Sequence, residues 1–259
     1  MQNLNVPEKS RGIVGFAFNT KQIDYISIAN KTMALASRVL SLPYTLITEL
    51  DRVEYDNERY SEDYGTFIKW RNVGRFCAYE LSPYDETLVI DVDYIVQDRE
   101  LLKVFDTDFD YRLLRTSHAL TQEYPNSMGP NSLPFVWATV FAFNKTNRAE
   151  QYFKLVERVQ TNYGYYRALF NLRERNYRND YAFAIADIIF NGYAIGTDTI
   201  PGSMLTIDQP ITSITVQGNT YVVRDETRAY IVPRTNLHIM SKKYLQSDNF
   251  AEFINNVAA

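Results

Sequence analysis

Asp91-Val92-Asp93 sets two carboxylates directly after the continuously apolar run Leu88-Val89-Ile90. Alternation at the end of a strand would put both acids on one side, converging on a single point. Carboxylates that close repel one another unless a cation lies between them, and their hard oxygens suit Mg²⁺ or Mn²⁺. The competing reading is a solvated strand end whose acids cap the next helix. His238, in Leu237-His238-Ile239-Met240-Ser241-Lys242-Lys243, is the second candidate. A histidine on an apolar strand is commonly a core residue, but two following lysines could hold a diphosphate as point charges. Asp180, in Arg178-Asn179-Asp180-Tyr181, stands at a helix start, where it is either a cap or a reacting group. Arg75 and the cluster Arg167, Arg173, Arg175 and Arg178 read as solvated surface or a local basic groove. His118 has no such lysines after it and reads as structural or surface.

Much chemistry is excluded by counting. Two histidines and one cysteine, Cys77, rule out His-rich and thiolate zinc centres. A lone cysteine forms no internal disulfide and fits a reducing compartment. No GxGxxG, GxxxxGK[ST] or GxSxG occurs, so dinucleotide, P-loop and serine-hydrolase readings have no anchor. The net charge of −4 advertises no broad grip on nucleic acid. The first residues, Met1 to Gly12, hold no apolar secretory core, and no window reaches the ~18 apolar residues of a membrane span. The expectation is a cytoplasmic protein, of a bacterium or of a virus-infected host cell. At 259 residues and 46% apolar, the chain can bury a full core, and no repeat or linker divides it. A single domain over 1–259 is expected.

The elements that must carry these residues alternate. Gly12 to Phe18 reads as a buried strand, Asp24 to Leu40 as a helix capped by Asp24, and Tyr44 to Thr48 as a second strand. Strand, helix, strand is the opening of a parallel α/β sheet. Residues 49–65 read as a charged, Tyr-rich surface loop with a helical turn, and 71–82 as a helix stopped at Pro83. Thr87 to Ile90 forms a strand that delivers the Asp91/Asp93 pair at its C-terminal end, where open α/β sheets bind ligands. Asp98 to Phe105 reads as a capped helix, Phe135 to Phe143 as a strand, and Arg148 to Gln160 and Asp180 to Phe190 as helices. Ile214 to Val223 reads as a hairpin, Leu237 as part of a last strand, and Asp248 as the start of a C-terminal helix.

Five segments then line up in order with one family. Asp24-Tyr25, Ala29 and Ser41-Leu42 follow the first strand; Arg75 to Leu81, Tyr84-Asp85 and Leu88 to Asp93 form a block. Val136 to Phe143, Asp180 to Ile185 and His238 to Lys243 complete the series. Across residues 12 to 245 the chain resembles the GT-A fold glycosyltransferases, in particular the glycogenin-like, galactosyltransferase-like group that uses nucleotide-sugar donors. It departs from that pattern at Trp137-Ala138-Thr139, where the family has Asn-Ser-Gly, at Tyr181 for Gln and at Ser241 for Gly.

The resemblance implies an α/β fold with a Rossmann-like, mostly parallel sheet flanked by helices and a small C-terminal hairpin. It implies a metal-dependent hexosyl or pentosyl transferase acting on a nucleotide diphosphate sugar, a UDP-sugar foremost. Asp91 (directly or through water), Asp93 and His238 would hold Mn²⁺ or Mg²⁺. Asn19 and Tyr25 would meet the nucleotide, with Tyr25 stacking on its base. Arg75, Lys242 and Lys243 would add positive charge at the diphosphate, and Asp180 would lie at the transferred sugar. The acceptor stays open among a glycan, a lipid-linked sugar, a protein hydroxyl and a hydroxylated DNA base. Two alternatives remain: a haloacid-dehalogenase-type phosphohydrolase, with Asp91 as nucleophile and Asp93 as acid and base, and a catalytically degenerate nucleotide-binding module.

Overall fold

The computed structural model describes residues 9–50, 56–71, 74–121, 127–128, 133–173, 175–194 and 199–258. In chain order the first elements are β1 (Arg11–Phe16), α1 (Tyr25–Leu40), β2 (Tyr44–Ile47), β3 (Asp56–Ser61) and β4 (Thr66–Arg71). Then follow α2 (Ala78–Leu81), β5 (Glu86–Ile90), β6 (Tyr94–Ile95), β7 (Tyr111–Leu114), β8 (His118–Ala119), β9 (Ser127–Met128) and β10 (Leu133–Pro134). The second half holds β11 (Trp137–Asn144), α3 (Asn147–Thr161), α4 (Tyr163–Leu169), α5 (Asn179–Phe190), β12 (Met204–Ile207), β13 (Ser213–Gln217), β14 (Thr220–Arg224), β15 (Ala229–Pro233), β16 (Asn236–Ile239), α6 (Lys242–Leu245) and α7 (Asp248–Ala258).

The main sheet has the order β2-β1-β5-β11-β7. β2, β1 and β5 are parallel, whereas β11 runs antiparallel to both of its neighbours. The sheet is therefore α/β and mixed, with a parallel half that starts the chain. Period-2 alternation splits its side chains between two cores. Val89, Phe141 and Phe143 pack with α3 and α5, through Tyr152, Phe153 and Phe183. Leu88, Ile90, Val140 and Ala142 pack with α1, through Ala29 and Met33. Asp24 caps α1 by accepting from Ser27 N at 3.0 Å, as its position predicts.

β1 is followed by a connection to one side (α1 to β2) and pairs with β5 on the other. That reversal is a switch point, and in open α/β sheets the ligand crevice lies at such a point, here beyond the C-terminal ends of β1 and β5. A second sheet, β6-β16-β12-β8, begins just after β5, since β6 follows it within a few residues.

Several expectations change. The span 49–65 is not a loop: residues 56–71 form the β3–β4 hairpin, turned at Gly65 with φ 60°, and 51–55 lie outside the described residues. The helix expected over 71–82 shrinks to a 3-10 turn, Arg75–Cys77, followed by α2, because Arg71 ends a strand. The segment after Asp98 is 3-10, from Glu100 to Asp106. The C-terminal hairpin gains a third strand, giving the meander β13-β14-β15.

Candidate active site

The two acids converge through a turn, not through strand alternation. β5 stops at Ile90, and Tyr94 N donates to Asp91 O at 3.0 Å to close residues 91–94. Asp91 N donates to Thr139 O at 2.9 Å, which ties the turn to β11. Val92 is buried between the acids, and its carbonyl accepts from Thr32 Oγ1 of α1 at 2.8 Å. Val92 thus anchors the turn in the core between the two acids.

His238 reaches them through sheet pairing. β16 runs antiparallel to β6 with His238 opposite Tyr94, and Ile239 N donates to Asp93 O at 3.0 Å. One ligand atom from each of Asp91, Asp93 and His238 then falls within 4.8 Å of the others. His238 Nε2 stands 3.7 Å from Asp93 Oδ1, while the buried Nδ1 makes no hydrogen bond. The Trp137 ring meets the imidazole edge-on, with centroids 6.2 Å apart, so this tryptophan walls the site. Two carboxylates and an imidazole form a donor set that could hold a divalent ion.

Each acid also has a basic partner. Arg75 pairs with Asp91, and its Nη1 donates to Ala138 O at 2.8 Å. Lys242 Nζ lies 2.5 Å from Asp93 Oδ2 and donates to Ile239 O at 3.2 Å. The acids consequently titrate in opposite directions. Burial pushes Asp91 up to about 7, outweighing the Arg75 guanidinium beside it, and the Asp93 charge adds to the rise. Burial acts on Asp93 in the same sense, but Lys242 and His238 overcome it and hold its carboxyl well below the usual range. Tyr25 faces the pair: burial first, then the charges of Asp93 and Asp91, push its phenol well above the ordinary value.

Asp180 joins this group from α5. It makes no cap; its Oδ1 accepts from Ala138 N at 3.0 Å and its Oδ2 from Arg178 Nη2 at 2.9 Å. The Ala138 peptide is thus gripped on both sides, by Asp180 at its N–H and by Arg75 at its carbonyl. Tyr25, Arg75, Asp91, Asp93, His238 and Lys242 therefore meet, with Asp180 one peptide away.

Asn19 and Lys243 are placed differently. Asn19 is exposed and spends its Oδ1 on Ile26 N at 3.0 Å, supporting the start of α1. The Lys243 side chain is exposed, and its backbone N donates to Asp63 Oδ2 at 3.1 Å. Arg173 and Arg175 are exposed, and Arg167 folds back on Leu172 O at 3.0 Å; of the arginine stretch, Arg178 alone is tied to a candidate site residue.

The tip of the β3–β4 hairpin, which no sequence motif singles out, also reaches this region. Asp63 Oδ1 accepts from Ser241 Oγ at 2.8 Å, and Gln246 Nε2 donates to the Tyr64 hydroxyl at 2.6 Å. Gln246 also accepts from Asp24 N at 2.8 Å, so the tip straps together the start of α1 and the start of α6.

No protein-family model and no curated protein sequence matches the chain. Among solved structures, the chain is similar to a glycosyltransferase involved in glycosylating the major capsid of PBCV-1, at 16% identity over 59% of this chain and 67% of that one, with TM-score 0.34. It is similar to the glycosyltransferase GlyE of Streptococcus pneumoniae at 17% identity over 73% of this chain, with TM-score 0.39. It is similar to the catalytic domain of Drosophila β1,4-galactosyltransferase 7 at 11% identity over 95% of this chain and 79% of that one, with TM-score 0.41. The match spans 45% of GlyE, less than half of its length. These are likenesses of shape, and the chemistry has to come from the side chains. Among the described residues, no helix is long and apolar enough to cross a membrane.

Proposed function

We propose that the chain is a metal-dependent glycosyltransferase that takes a hexosyl or pentosyl unit from a nucleotide diphosphate sugar, a UDP-sugar foremost. One observation carries this reading: Asp91, Asp93 and His238 converge at the C-terminal edge of the sheet, beside the switch-point crevice. Sugar transfer expels a diphosphate, whose growing negative charge needs fixed positive charge around it. A bound Mn²⁺ or Mg²⁺ would supply Lewis-acid stabilisation of that leaving group. Asp91, Asp93 and His238 would hold the ion. Arg75 and Lys242 would place further positive charge at the phosphates. Tyr25, against the carboxylate pair, offers a flat face for the base. Asp180 would orient the sugar hydroxyls or stabilise positive charge developing on the ring.

The phosphohydrolase alternative is not favoured. It needs Asp93 to carry a proton to the leaving group, but Lys242 and His238 hold that carboxyl ionised. A degenerate binding module is separated from a transferase by turnover. Nucleotide sugars screened with Mn²⁺ should include one that raises the melting temperature, and that donor should be slowly hydrolysed without acceptor. Stabilisation without hydrolysis or transfer would leave the binding module; no stabilisation by any donor would sink the transferase reading.

A further inference from the structure

Among the residues whose burial is described, Lys242 is the only buried lysine. A lysine ammonium is almost never buried without a strong partner. Here the partner is Asp93 Oδ2 at 2.5 Å, and Ile239 O at 3.2 Å takes a second donor position. The lysine is the first residue of α6, set directly after the cap Ser241, whose Oγ accepts from Tyr244 N. The local backbone thus aims this side chain inward while its neighbour Lys243 points to solvent.

Asp93 is also one of the three residues whose ligand atoms cluster. We propose that Lys242 is a built-in counter-ion that holds the cation's place on Asp93, so that a divalent ion enters by displacing its ammonium. The inference rests on the metal-site reading above and goes beyond it by naming what the ion competes with. A second cation on this carboxylate, even at Oδ1 beside His238, would lie close to the ammonium on Oδ2 and be repelled by it, with little solvent present to screen the two. The chain thus sets a basic group against each acid, Arg75 on Asp91 and Lys242 on Asp93. The two basic groups differ in how firmly they are held. Arg75 is also bonded to Ala138 O and feels Asp180 as well as both site acids, whereas Lys242 has only Asp93 and one carbonyl. Lys242 is the group free to leave.

Its departure has a consequence for the donor. An expelled ammonium stays in the crevice and needs a new anion, which a diphosphate provides. Metal alone should then bind weakly, and metal and nucleoside diphosphate should each strengthen the other, as coupling requires.

The test is Mn²⁺ alone, titrated calorimetrically into the wild-type protein and Lys242→Met, then repeated with UDP present. The variant should bind Mn²⁺ alone at least tenfold more tightly, and UDP should tighten Mn²⁺ much less in the variant than in wild type. Equal or weaker Mn²⁺ binding by the folded variant overturns the displacement. Should Lys242→Met not fold, the wild-type protein answers by amine acetylation read by mass spectrometry. Without metal, Lys242 should be protected relative to Lys243; saturating Mn²⁺ should expose it, and UDP should protect it again. Protection of Lys242 that persists with Mn²⁺ bound also overturns the proposal. Absence of Mn²⁺ binding by both proteins removes the metal-site reading itself, an outcome distinct from equal binding.

Discussion

Asp91 and Asp93 have the same side chain, two residues apart, and opposite titration behaviour. The sequence makes their pairing visible, but nothing in it says which acid is held charged, because that depends on partners from distant segments. Asp93 gains Lys242 and His238; Asp91 gains Arg75, which burial outweighs. The sign of the Asp91 effect can be measured without metal. The folded protein keeps this proton up to about 7, whereas the unfolded chain releases it near the ordinary carboxylate value. Its contribution to stability is therefore full below that ordinary value and is lost as pH rises through 7. Asp91→Asn mimics the protonated acid and carries no such loss. In chelator, the urea midpoint of wild type should fall progressively behind that of Asp91→Asn as pH rises from the ordinary carboxylate value to about 7, and at pH 8 the variant should be the more stable, on the order of a few kcal/mol. A wild type as stable as the variant at pH 8 would mean that the Arg75 ion pair beats burial after all.

Elements with a strong apolar period were legible, and those held by polar contacts were not. α1 announced itself by the period of Ile28, Leu35 and its neighbours and by the Asp24 cap, and β5 by its apolar run. The β3–β4 hairpin did not, because its strands read Asp-Asn-Glu-Arg-Tyr-Ser and Thr-Phe-Ile-Lys-Trp-Arg, with charge throughout the first. The one usable signal was Gly65, whose positive φ is what a tight turn requires. The tip matters because Asp63 bonds both Ser241 Oγ and Lys243 N, fastening the hairpin to the segment that carries His238 and Lys242. Asp63→Ala should cost about 1.5–3 kcal/mol, the usual loss of hydrogen bonds to a charged group. It should also speed hydrogen exchange across residues 61–66 and at Lys243, while β5 and β11 stay protected. Exchange unchanged at the tip would show that the strap is held by Tyr64 and Gln246 instead.

Across the whole molecule, the candidate site is assembled by topology. The switch point between β1 and β5 marks the place of the crevice, the turn after β5 supplies two acids, and the pairing of β16 with β6 brings His238 from far along the chain. No local pattern near His238 encodes that pairing; only the order of motifs along the chain pointed to it. The residue legible by type alone was therefore the one whose position depended most on the complete fold. Its role has a signature that the carboxylates cannot produce. Imidazole nitrogen binds a transition ion well and Mg²⁺ poorly, so a site containing it should prefer Mn²⁺, whereas two carboxylates alone discriminate far less. In His238→Ala, Mn²⁺ binding should fall by at least roughly 10–100-fold, the loss typical of even an outer-shell partner, while Mg²⁺ binding changes little. The gap between the metals should narrow for UDP binding and for donor hydrolysis alike. Circular dichroism would establish that the variant keeps its fold, since β16 also pairs through Asn236, Leu237 and Ile239 with β12. An unchanged ratio of Mn²⁺ to Mg²⁺ affinity in a folded His238→Ala would place the imidazole outside the coordination sphere, as a wall beside Trp137, and leave any ion to Asp91 and Asp93.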